Sequence, residues 1–458
     1  MTTPTHDIDE AAPRIQSKRE LVERLASGSK PAKDWRIGTE HEKFGFIEKG
    51  LTPLPYDGPS SIRALLEGMS TQFGWEPIME GEHIIGGKKD GASLSLEPGG
   101  QFELSGAPLE TIHETCSEIT QHLKETRIIA EPMGAEFLGL GFSPIWSLEE
   151  TPMMPKGRYG IMRAYMARVG RLGREMMFRS CTVQSNLDFG SEADMVKKMR
   201  VSLALQPIAT ALFANSPFAE NRTNGFLSYR SHVWTDTDPD RSGTLPFAFE
   251  EGFGFERYVD YALDVPMYFA RRGGKYIDCS GLSFRDFMAG KLSVLPGELP
   301  AMDDFDDHIS TIFPEVRLKT FLEMRGADAG PQARLCALSA FWAGILYDSQ
   351  ALDGAWELVK SWTAPEREAM RNAVPAVGLK TPIRNTNLQA IAKQAVALAQ
   401  GGLKRRRKLN ATGEDETIFL GELEEIADSG LSPADRLLAK YHGEWKRDLR
   451  RTFAEVRF

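Results

Sequence analysis

Carboxylate side chains occur at regular spacing inside otherwise apolar stretches of this sequence. Glu40 and Glu42 are two residues apart in a segment rich in strand-forming residues, and a β-strand places such residues side by side on one face. Glu97 and Glu103 have the same parity in a second segment, where the intervening Pro98 and its two following glycines are expected to form a bulge. The sequence therefore predicts two strands with acidic faces.

Two further segments carry polar side chains in alternation. Residues 183–189 alternate polar and apolar types, and residues 315–325 mix carboxylates with cations. The polar residues concerned are Gln184, Asn186 and Asp188 in the first segment, and Glu315, Arg317, Lys319, Glu323 and Arg325 in the second. A solvated strand face would produce any one of these patterns alone, so the combination carries the prediction.

Carboxylates crowded on one sheet face repel one another unless cations neutralise them. Mg²⁺ binds carboxylate oxygens together with substrate phosphates, and arginine and lysine hold anionic groups. A sheet face with rows of glutamate and arginine at its rim is what ATP-dependent activation of a carboxylate requires.

The elements that must position these side chains form an irregular alternation of strands and helices. Ser191, Thr363 and Ser432 each have a carboxylate three residues later, which is the spacing of a helix N-cap. A helix is also expected near residues 17–26, and the chain is expected to be almost wholly helical from Gln332 onward, with an exposed loop at 401–413. The strand candidates are Arg36–Ile47, Ser93–Leu104, Glu136–Phe142, Arg179–Phe189 and Val316–Met324.

Strands thus concentrate in the first three quarters of the chain, with helices between and after them. This order predicts an α+β fold, a mainly antiparallel sheet with helices packed around it. The expected organisation is a lead-in over residues 1–34, followed by one catalytic domain over residues 35–458.

Composition narrows the class of protein. The chain has 458 residues, of which 41% are hydrophobic and 26% charged, and its formal charge is −9, which is unsuited to a non-specific nucleic-acid binder. The basic run Lys404–Lys408 is typical of a solvated loop or helix end. Residues 1–10 lack a signal-peptide pattern, and the apolar stretch Val201–Ala214 is interrupted by polar residues and proline, as in a buried helix. We expect a soluble cytoplasmic protein that binds neither nucleic acid nor membrane.

The common phosphate-binding and hydrolytic motifs are missing. The stretch ending in Gly86-Gly87-Lys88 resembles a P-loop, but Glu82 stands in place of its first glycine and Lys89 in place of its hydroxyl residue. The sequence has no GxGxxG after a strand, no HExxH and no GxSxG.

Several longer blocks resemble a known family. They are Ile37–Phe46, Met154–Tyr159, Leu205–Pro217, Arg230–Asp238, Tyr261–Tyr268 and Phe321–Asp328. These blocks are similar to those of glutamate–cysteine ligases of the plant and proteobacterial type, and the similarity runs from about Ser17 to the end of the chain.

The resemblance implies an α+β fold related to glutamine synthetase, in which a curved antiparallel sheet forms an active-site funnel. It also implies the first step of glutathione synthesis. ATP phosphorylates the γ-carboxylate of glutamate, and the amine of cysteine then displaces phosphate from the acyl phosphate. Phosphorylation is needed because an unactivated carboxylate would have to expel oxide.

The resemblance further implies roles for individual residues. Glu40, Glu42, Glu97, Glu103 and Glu323 are the implied magnesium ligands. Arg158 and Arg230 are implied clamps for amino-acid carboxylates or the transferred phosphoryl group, although an ordinary loop ion pair would also account for either arginine. Lys319 and Arg325 are implied contacts of the ATP phosphates, and Arg158, Arg230 and Arg325 are implied to be catalytic. Thr182, Gln184 and Asn186 are implied to line the glutamate and cysteine pockets.

The four cysteines do not form a CxxC pair, and their default interpretation is small buried apolar residues. Cys116 and Cys336 match one regulatory disulfide of the plant enzymes, and Cys279 matches half of another, whose partner position holds Val294. A plastid leader is not recognisable, so the resemblance favours the proteobacterial members.

Two other functions remain open at this stage. The chain could join glutamate to a different amine, since one sequence does not show the shape of a pocket. It could also be an inactive relative that senses glutamate or nucleotide. The sequence leaves open whether the protein is a monomer or a homodimer.

Overall fold

An open, ten-stranded antiparallel sheet organises the computed structural model, which describes residues 12–458. The part of the predicted lead-in before residue 12 lies outside the described residues. The described strands are β1 (Ile37–Ile47), β2 (Thr52–Pro53), β3 (Glu76–Glu80), β4 (His83–Lys89), β5 (Ala92–Leu96), β6 (Phe102–Ser105), β7 (Ala135–Leu138), β8 (Thr182–Leu187), β9 (Phe218–Ala219), β10 (Arg222–Thr223), β11 (Ser242–Gly243), β12 (Phe269–Arg272), β13 (Lys275–Asp278), β14 (Phe313–Pro314), β15 (Val316–Leu318), β16 (Leu322–Asp328), β17 (Pro382–Ile383) and β18 (Thr386–Asn387).

The main sheet has the strand order β15-β16-β8-β1-β6-β5-β4-β3, with β2 and β7 also paired to β1. The long strand β1 therefore lies at its centre, between β6 and β8. Because side chains alternate along each strand, the registers of these pairs decide which polar residues share a face.

Helices surround the sheet. The α-helices are α1 (Lys18–Ala26), α2 (Ile62–Phe73), α3 (Ile112–Ala130), α4 (Gly157–Val169), α5 (Gly173–Arg179), α6 (Glu192–Phe213), α7 (Tyr229–Val233), α8 (Phe255–Asp264), α9 (Phe284–Met288), α10 (Met302–Ser310), α11 (Gln332–Leu346), α12 (Ser349–Val359), α13 (Ala364–Val377), α14 (Leu388–Arg406), α15 (Gly421–Ser429), α16 (Pro433–His442) and α17 (Arg451–Glu455).

The largest hydrophobic core lies between the sheet and the helices α6, α11 and α14. α11 is almost entirely buried, from Arg334 to Leu346, so it has no polar face of the kind that a surface helix shows. One face of the sheet therefore packs against these helices, and the polar side chains lie on the opposite face.

The three predicted N-caps are confirmed. Ser191, Thr363 and Ser432 each accept a hydrogen bond from the backbone N–H three residues later, at the starts of α6, α13 and α16. α6 ends at Phe213, shortly before Pro217, which could not continue a helix. The helical C-terminal region and the helix near residues 17–26 are also confirmed.

Three predictions of local structure are wrong. Residues 93–104 form a hairpin, β5 and β6, in place of one bulged strand, because the Pro98-Gly99-Gly100 turn reverses the chain. Residues 316–324 likewise form the β15–β16 hairpin. The expected loop at 401–413 begins as helix through Arg406, because a close approach to α11 lets α14 continue through Gly401 and Gly402.

Candidate active site

The acidic side chains of the central strands meet on one face of the sheet. Glu42 on β1 is directly opposite Glu103 on β6, and Glu40 is directly opposite Gln184 on β8. Ser95 on β5 is opposite Glu103 in turn. The predicted acidic face therefore extends across four neighbouring strands.

A cavity of about 110 Å³ opens over this face. Its lining combines carboxylates with cations and a few apolar groups. The residues are Glu40, Glu42, Glu97, Glu103, Arg158, Tyr159, Met162, Gln184, Ser310, Thr311, Phe313, Arg317, Lys319 and Arg325. Four of the five predicted metal ligands thus share one cavity with three of the predicted cationic groups.

Crowding changes the protonation of the carboxylates. Burial raises the pKa of Glu103 to about 8, and the charges of Glu97 and Glu40 act in the same direction. Burial also raises the pKa of Glu42 well above its usual value, again with Glu97 and Glu103 adding to the shift. The ionised forms of these carboxylates are therefore disfavoured, and a bound cation would stabilise them.

A buried ion cluster faces the acids from β15 and β16. Glu323 is fully buried, and Arg317 donates two hydrogen bonds to it, at 2.8 and 2.7 Å. Arg325 contacts the same carboxylate, and the Lys319 ammonium lies 3.5 Å from it. Although burial acts to raise the pKa of Glu323, these cations hold it well below its usual range.

This arrangement argues against Glu323 as a magnesium ligand. Both of its oxygens are already engaged by cations, which would repel a metal ion. Glu323 instead fixes the positions of Arg317, Lys319 and Arg325, which line the cavity.

The two predicted clamps lie at different depths. Arg158, in the first turn of α4, lines the cavity, and its Nε is buried without a hydrogen-bond partner among residues 12–458. Arg230 on α7 is also buried and donates from Nη2 to the Arg325 carbonyl at 2.9 Å. It lines a smaller adjoining space together with Arg325 and Phe313.

Of the three predicted pocket residues on β8, only Gln184 lines the cavity. Its Oε1 accepts a hydrogen bond from Arg325 at 2.5 Å. Asn186 donates to Glu40 at 2.7 Å, and the backbone N–H of Thr182 donates to Glu42 at 2.9 Å. Thr182 and Asn186 therefore hold the acidic side chains in place.

A second cavity adjoins the first and shares Lys319 and Ser310 with it. It encloses about 530 Å³ between the β4–β5 turn, α1 and α10. Apolar side chains and lysines line it, among them Ile78, Ile309, Phe321, Lys88 and Lys89. Lys319 and Ser310 therefore form a common wall between the acidic cluster and the space near the edge of the sheet.

Several residues that line the acidic cavity were not among the predicted site residues. Tyr159 adjoins the predicted Arg158, within a motif that was already singled out. Arg317 belongs to the alternating segment at 315–325, but its role depends on the hairpin register that places it opposite Glu323. Ser310 ends α10, Thr311 follows it and Phe313 begins β14, a region in which no spacing pattern indicated a site.

The two cysteines matched to a regulatory bridge are joined. Cys116 on α3 and Cys336 on α11 form a disulfide with a Cα–Cα distance of 5.6 Å. Cys181 and Cys279 are free and buried, while Val294, at the position matched to a partner of Cys279, is 42% exposed.

Comparison with known proteins identifies the family. The profile of glutamate–cysteine ligase family 2 matches residues 36–455. The chain belongs to this family. It is 58% identical over 453 residues to the chloroplastic glutamate–cysteine ligase of Nicotiana tabacum, covering 99% of this chain and 85% of the relative. It is 57% identical over 440 residues to the chloroplastic enzyme of Arabidopsis thaliana, covering 96% and 83%.

Solved structures agree on the fold. The crystal structure of glutamate–cysteine ligase from Francisella tularensis in complex with AMP superposes with a TM-score of 0.57, at 12% identity, over 92% of this chain and 88% of that chain. The predicted family, the glutamine synthetase-like α+β fold class and the ATP-dependent ligase activity that forms γ-glutamylcysteine are thus confirmed.

The predicted cytoplasmic location is contradicted. The related plant enzymes are named chloroplastic. The prediction depended on the polar composition of the first residues, whereas the family match lies in residues 36–455. Separately, no helix among residues 12–458 is long and apolar enough to cross a membrane.

Proposed function

We propose that the acidic cavity is the site where glutamate is phosphorylated and then joined to cysteine, with Mg²⁺ arriving as part of the ATP co-substrate. The observation that carries this proposal is the opposition of four carboxylates and a preorganised cation cluster across one cavity. Such a site can hold a metal on one side and phosphate oxygens on the other.

The residues present fit a magnesium ion that is shared with substrate. Glu40, Glu42, Glu97 and Glu103 offer hard oxygen ligands on adjacent strands. Within the described part of the chain no three acidic, histidine or cysteine side chains lie together so that they could hold a metal ion by themselves. Mg²⁺ usually binds through one or two carboxylates plus phosphates and waters, so an open acidic face suits it better than a closed centre. Bound there, the ion would neutralise charge between ATP and glutamate.

The cations supply the electrostatic part of the reaction. Lys319 and Arg325 are proposed to contact the ATP phosphates, since both line the cavity and are held by Glu323. In the first step they stabilise the negative charge on the phosphoryl group during its transfer to the γ-carboxylate of glutamate. The products of this step are ADP and γ-glutamyl phosphate.

Arg158 and Arg230 are proposed to bind amino-acid carboxylates or the transferred phosphoryl group. Arg230 is buried and Arg158 half-buried with a buried Nε, and neither forms an ion pair with a carboxylate of the described residues within 4.0 Å. An anionic substrate would give each guanidinium its missing charge partner. In the second step the cysteine amine attacks the acyl carbon, loses a proton and displaces phosphate, and Gln184 lies where it can contact the reacting groups.

The nucleoside of ATP is assigned to the adjoining cavity. Its volume of about 530 Å³ is within the range of ligand pockets, and its apolar walls, Ile78, Ile309 and Phe321, suit a purine ring. Because Lys319 lies at the junction of the two cavities, a nucleoside in one would place its phosphates towards the other.

The direct test is phosphate release from ATP and magnesium with glutamate, measured with and without cysteine. Cysteine-dependent release matched by an equal amount of thiol-bearing dipeptide is the expected result. Release only with another amine would keep the site and change the substrate. Binding of ATP and magnesium without release for any amine would contradict catalysis.

A further inference from the structure

Side chains at the start of α4 form hydrogen bonds to the end of β5, directly before Glu97. The Lys156 ammonium donates hydrogen bonds to the Ser95 hydroxyl at 2.9 Å and to the Leu96 carbonyl at 2.8 Å. The Tyr159 hydroxyl donates to the same Leu96 carbonyl. The carbonyl immediately before Glu97 therefore accepts two side-chain hydrogen bonds from one segment.

The same segment also forms a backbone hydrogen bond to the residue that follows Glu97. The Met154 N–H donates to the Pro98 carbonyl at 2.9 Å, while the Glu97 N–H donates to the Gln101 carbonyl at 3.0 Å and closes the β5–β6 turn. The Leu96 carbonyl before Glu97 and the Pro98 carbonyl after it are thus both held from outside the hairpin.

The burial of Lys156 is otherwise unexplained. Its side chain is only 7% exposed, and no carboxylate of the described residues lies within ion-pair distance of it. A buried ammonium loses hydration, so an unpaired buried lysine lowers stability unless it serves some other purpose. Its two hydrogen-bond acceptors are both at the end of β5, next to a proposed metal ligand.

We propose that Lys156, assisted by Tyr159, is a positioning residue that holds the Glu97 carboxylate in the geometry required for divalent metal binding. The inference depends on the proposed metal role of the acidic cavity. Lys156 itself touches neither substrate nor metal and acts through the backbone at Leu96.

An alternative role for Lys156 predicts the opposite sign. If Lys156 acted only through its positive charge, its removal would make the cavity more negative and would tighten cation binding. If it acts through position, its removal lets the strand end move and weakens binding. The direction of the change in metal affinity therefore separates the two roles.

The test measures Mn²⁺ binding to the full-length protein with a non-hydrolysable ATP analogue bound, by titration calorimetry against a blank titration of the analogue alone. K156M keeps the length of the side chain and removes its donors, and Y159F removes the second donor to the same carbonyl. Both variants are expected to weaken Mn²⁺ binding about tenfold or more, equivalent to about 1.4 kcal/mol. K291M, at an exposed lysine, is the matched control and is expected to bind as the wild type does.

Two further readouts in the ligase assay test the interpretation. K156M should raise the magnesium concentration needed for half-maximal rate more than it raises the KM for glutamate, and K156Q, which keeps a donor, should recover part of the loss. Unchanged or tighter Mn²⁺ binding in a folded K156M would overturn the positioning role. Wild-type protein that binds no Mn²⁺ while Glu97→Gln leaves turnover unchanged would instead remove the proposed metal site.

Discussion

Glu42 on β1 and Glu103 on β6 are directly opposed residues of an antiparallel pair. Like charges in such positions destabilise a sheet, and Glu103 is only 3% exposed, so water screens the repulsion poorly. The fold tolerates this conflict at the centre of its longest strand. We infer that the residue types of Glu42 and Glu103 are determined by binding chemistry and not by stability.

Neutralising one member of this pair should separate stability from activity. We expect Glu103→Gln to raise the free energy of unfolding by up to about 1 kcal/mol in the absence of nucleotide and metal, because burial raises the pKa of Glu103 to about 8 and the fold therefore disfavours its ionised form at pH 8.5. Turnover should fall by at least about a hundredfold, because a proposed metal ligand is lost. Urea denaturation at pH 8.5 and the phosphate-release assay measure the two effects. A variant that is less stable and fully active would contradict both expectations.

Glu97 provides the test of the metal assignment at the turn between β5 and β6. Glu97→Gln preserves the shape of the side chain but removes its charge, so we expect turnover to fall about a hundredfold, or about 2.7 kcal/mol in the barrier. The same substitution at the exposed Glu149 is the control and should leave turnover unchanged. Full turnover in the Glu97 variant would remove this residue from the metal site.

The nucleoside cavity can be tested by filling it. Ala92 on β5 is buried and lines this cavity but not the acidic one. We expect Ala92→Leu to raise the KM for ATP about tenfold while the KM for glutamate changes less than twofold, because the added side chain occupies space proposed for adenosine. Ala411→Leu, in an exposed turn, is the control. Equal rises in both KM values would indicate a general disturbance of the sheet and argue against the assignment.

His308 should contribute to the pH dependence of stability. Burial lowers its pKa to about 4, with the Arg241 charge acting in the same direction, although its hydrogen bond to the Ala262 carbonyl opposes the shift. The unfolded chain takes up a proton near pH 6.5, whereas the folded chain does so only near pH 4. The unfolded state therefore binds more protons between these values, and stability falls as the pH is lowered through this window.

For this single group, the expected loss of unfolding free energy is about 1.4 kcal/mol between pH 7.5 and pH 5.5. His308→Gln removes the titrating group, so its unfolding free energy should fall by about that much less than that of the wild type over the same interval. Urea denaturation at the two pH values provides the comparison. Parallel losses in both proteins would show that His308 titrates normally in the folded state.

The sequence by itself determined the local elements and the identity of the chemistry. The caps at Ser191, Thr363 and Ser432 depend on a hydroxyl and a carboxylate three residues apart, which is information contained within one helical turn. Glu40 and Glu42 lie on the same face of β1 because side chains alternate with a period of two residues along a strand. Longer blocks of residues carried the family resemblance, and the comparisons confirmed it.

Only the tertiary structure decided which strands are neighbours and which side chains are already partnered. Glu323 has the same residue type as Glu97, yet its contacts with Arg317, Lys319 and Arg325 give it a different role, and these contacts depend on the register of β15 against β16. Gly402 shows the same limit in packing. A Cβ there would come within 1.8 Å of the Gly344 carbonyl oxygen, so two helices meet where the sequence indicated a loop. Register and close approach arise from contacts between residues far apart in the chain, and local spacing does not encode them.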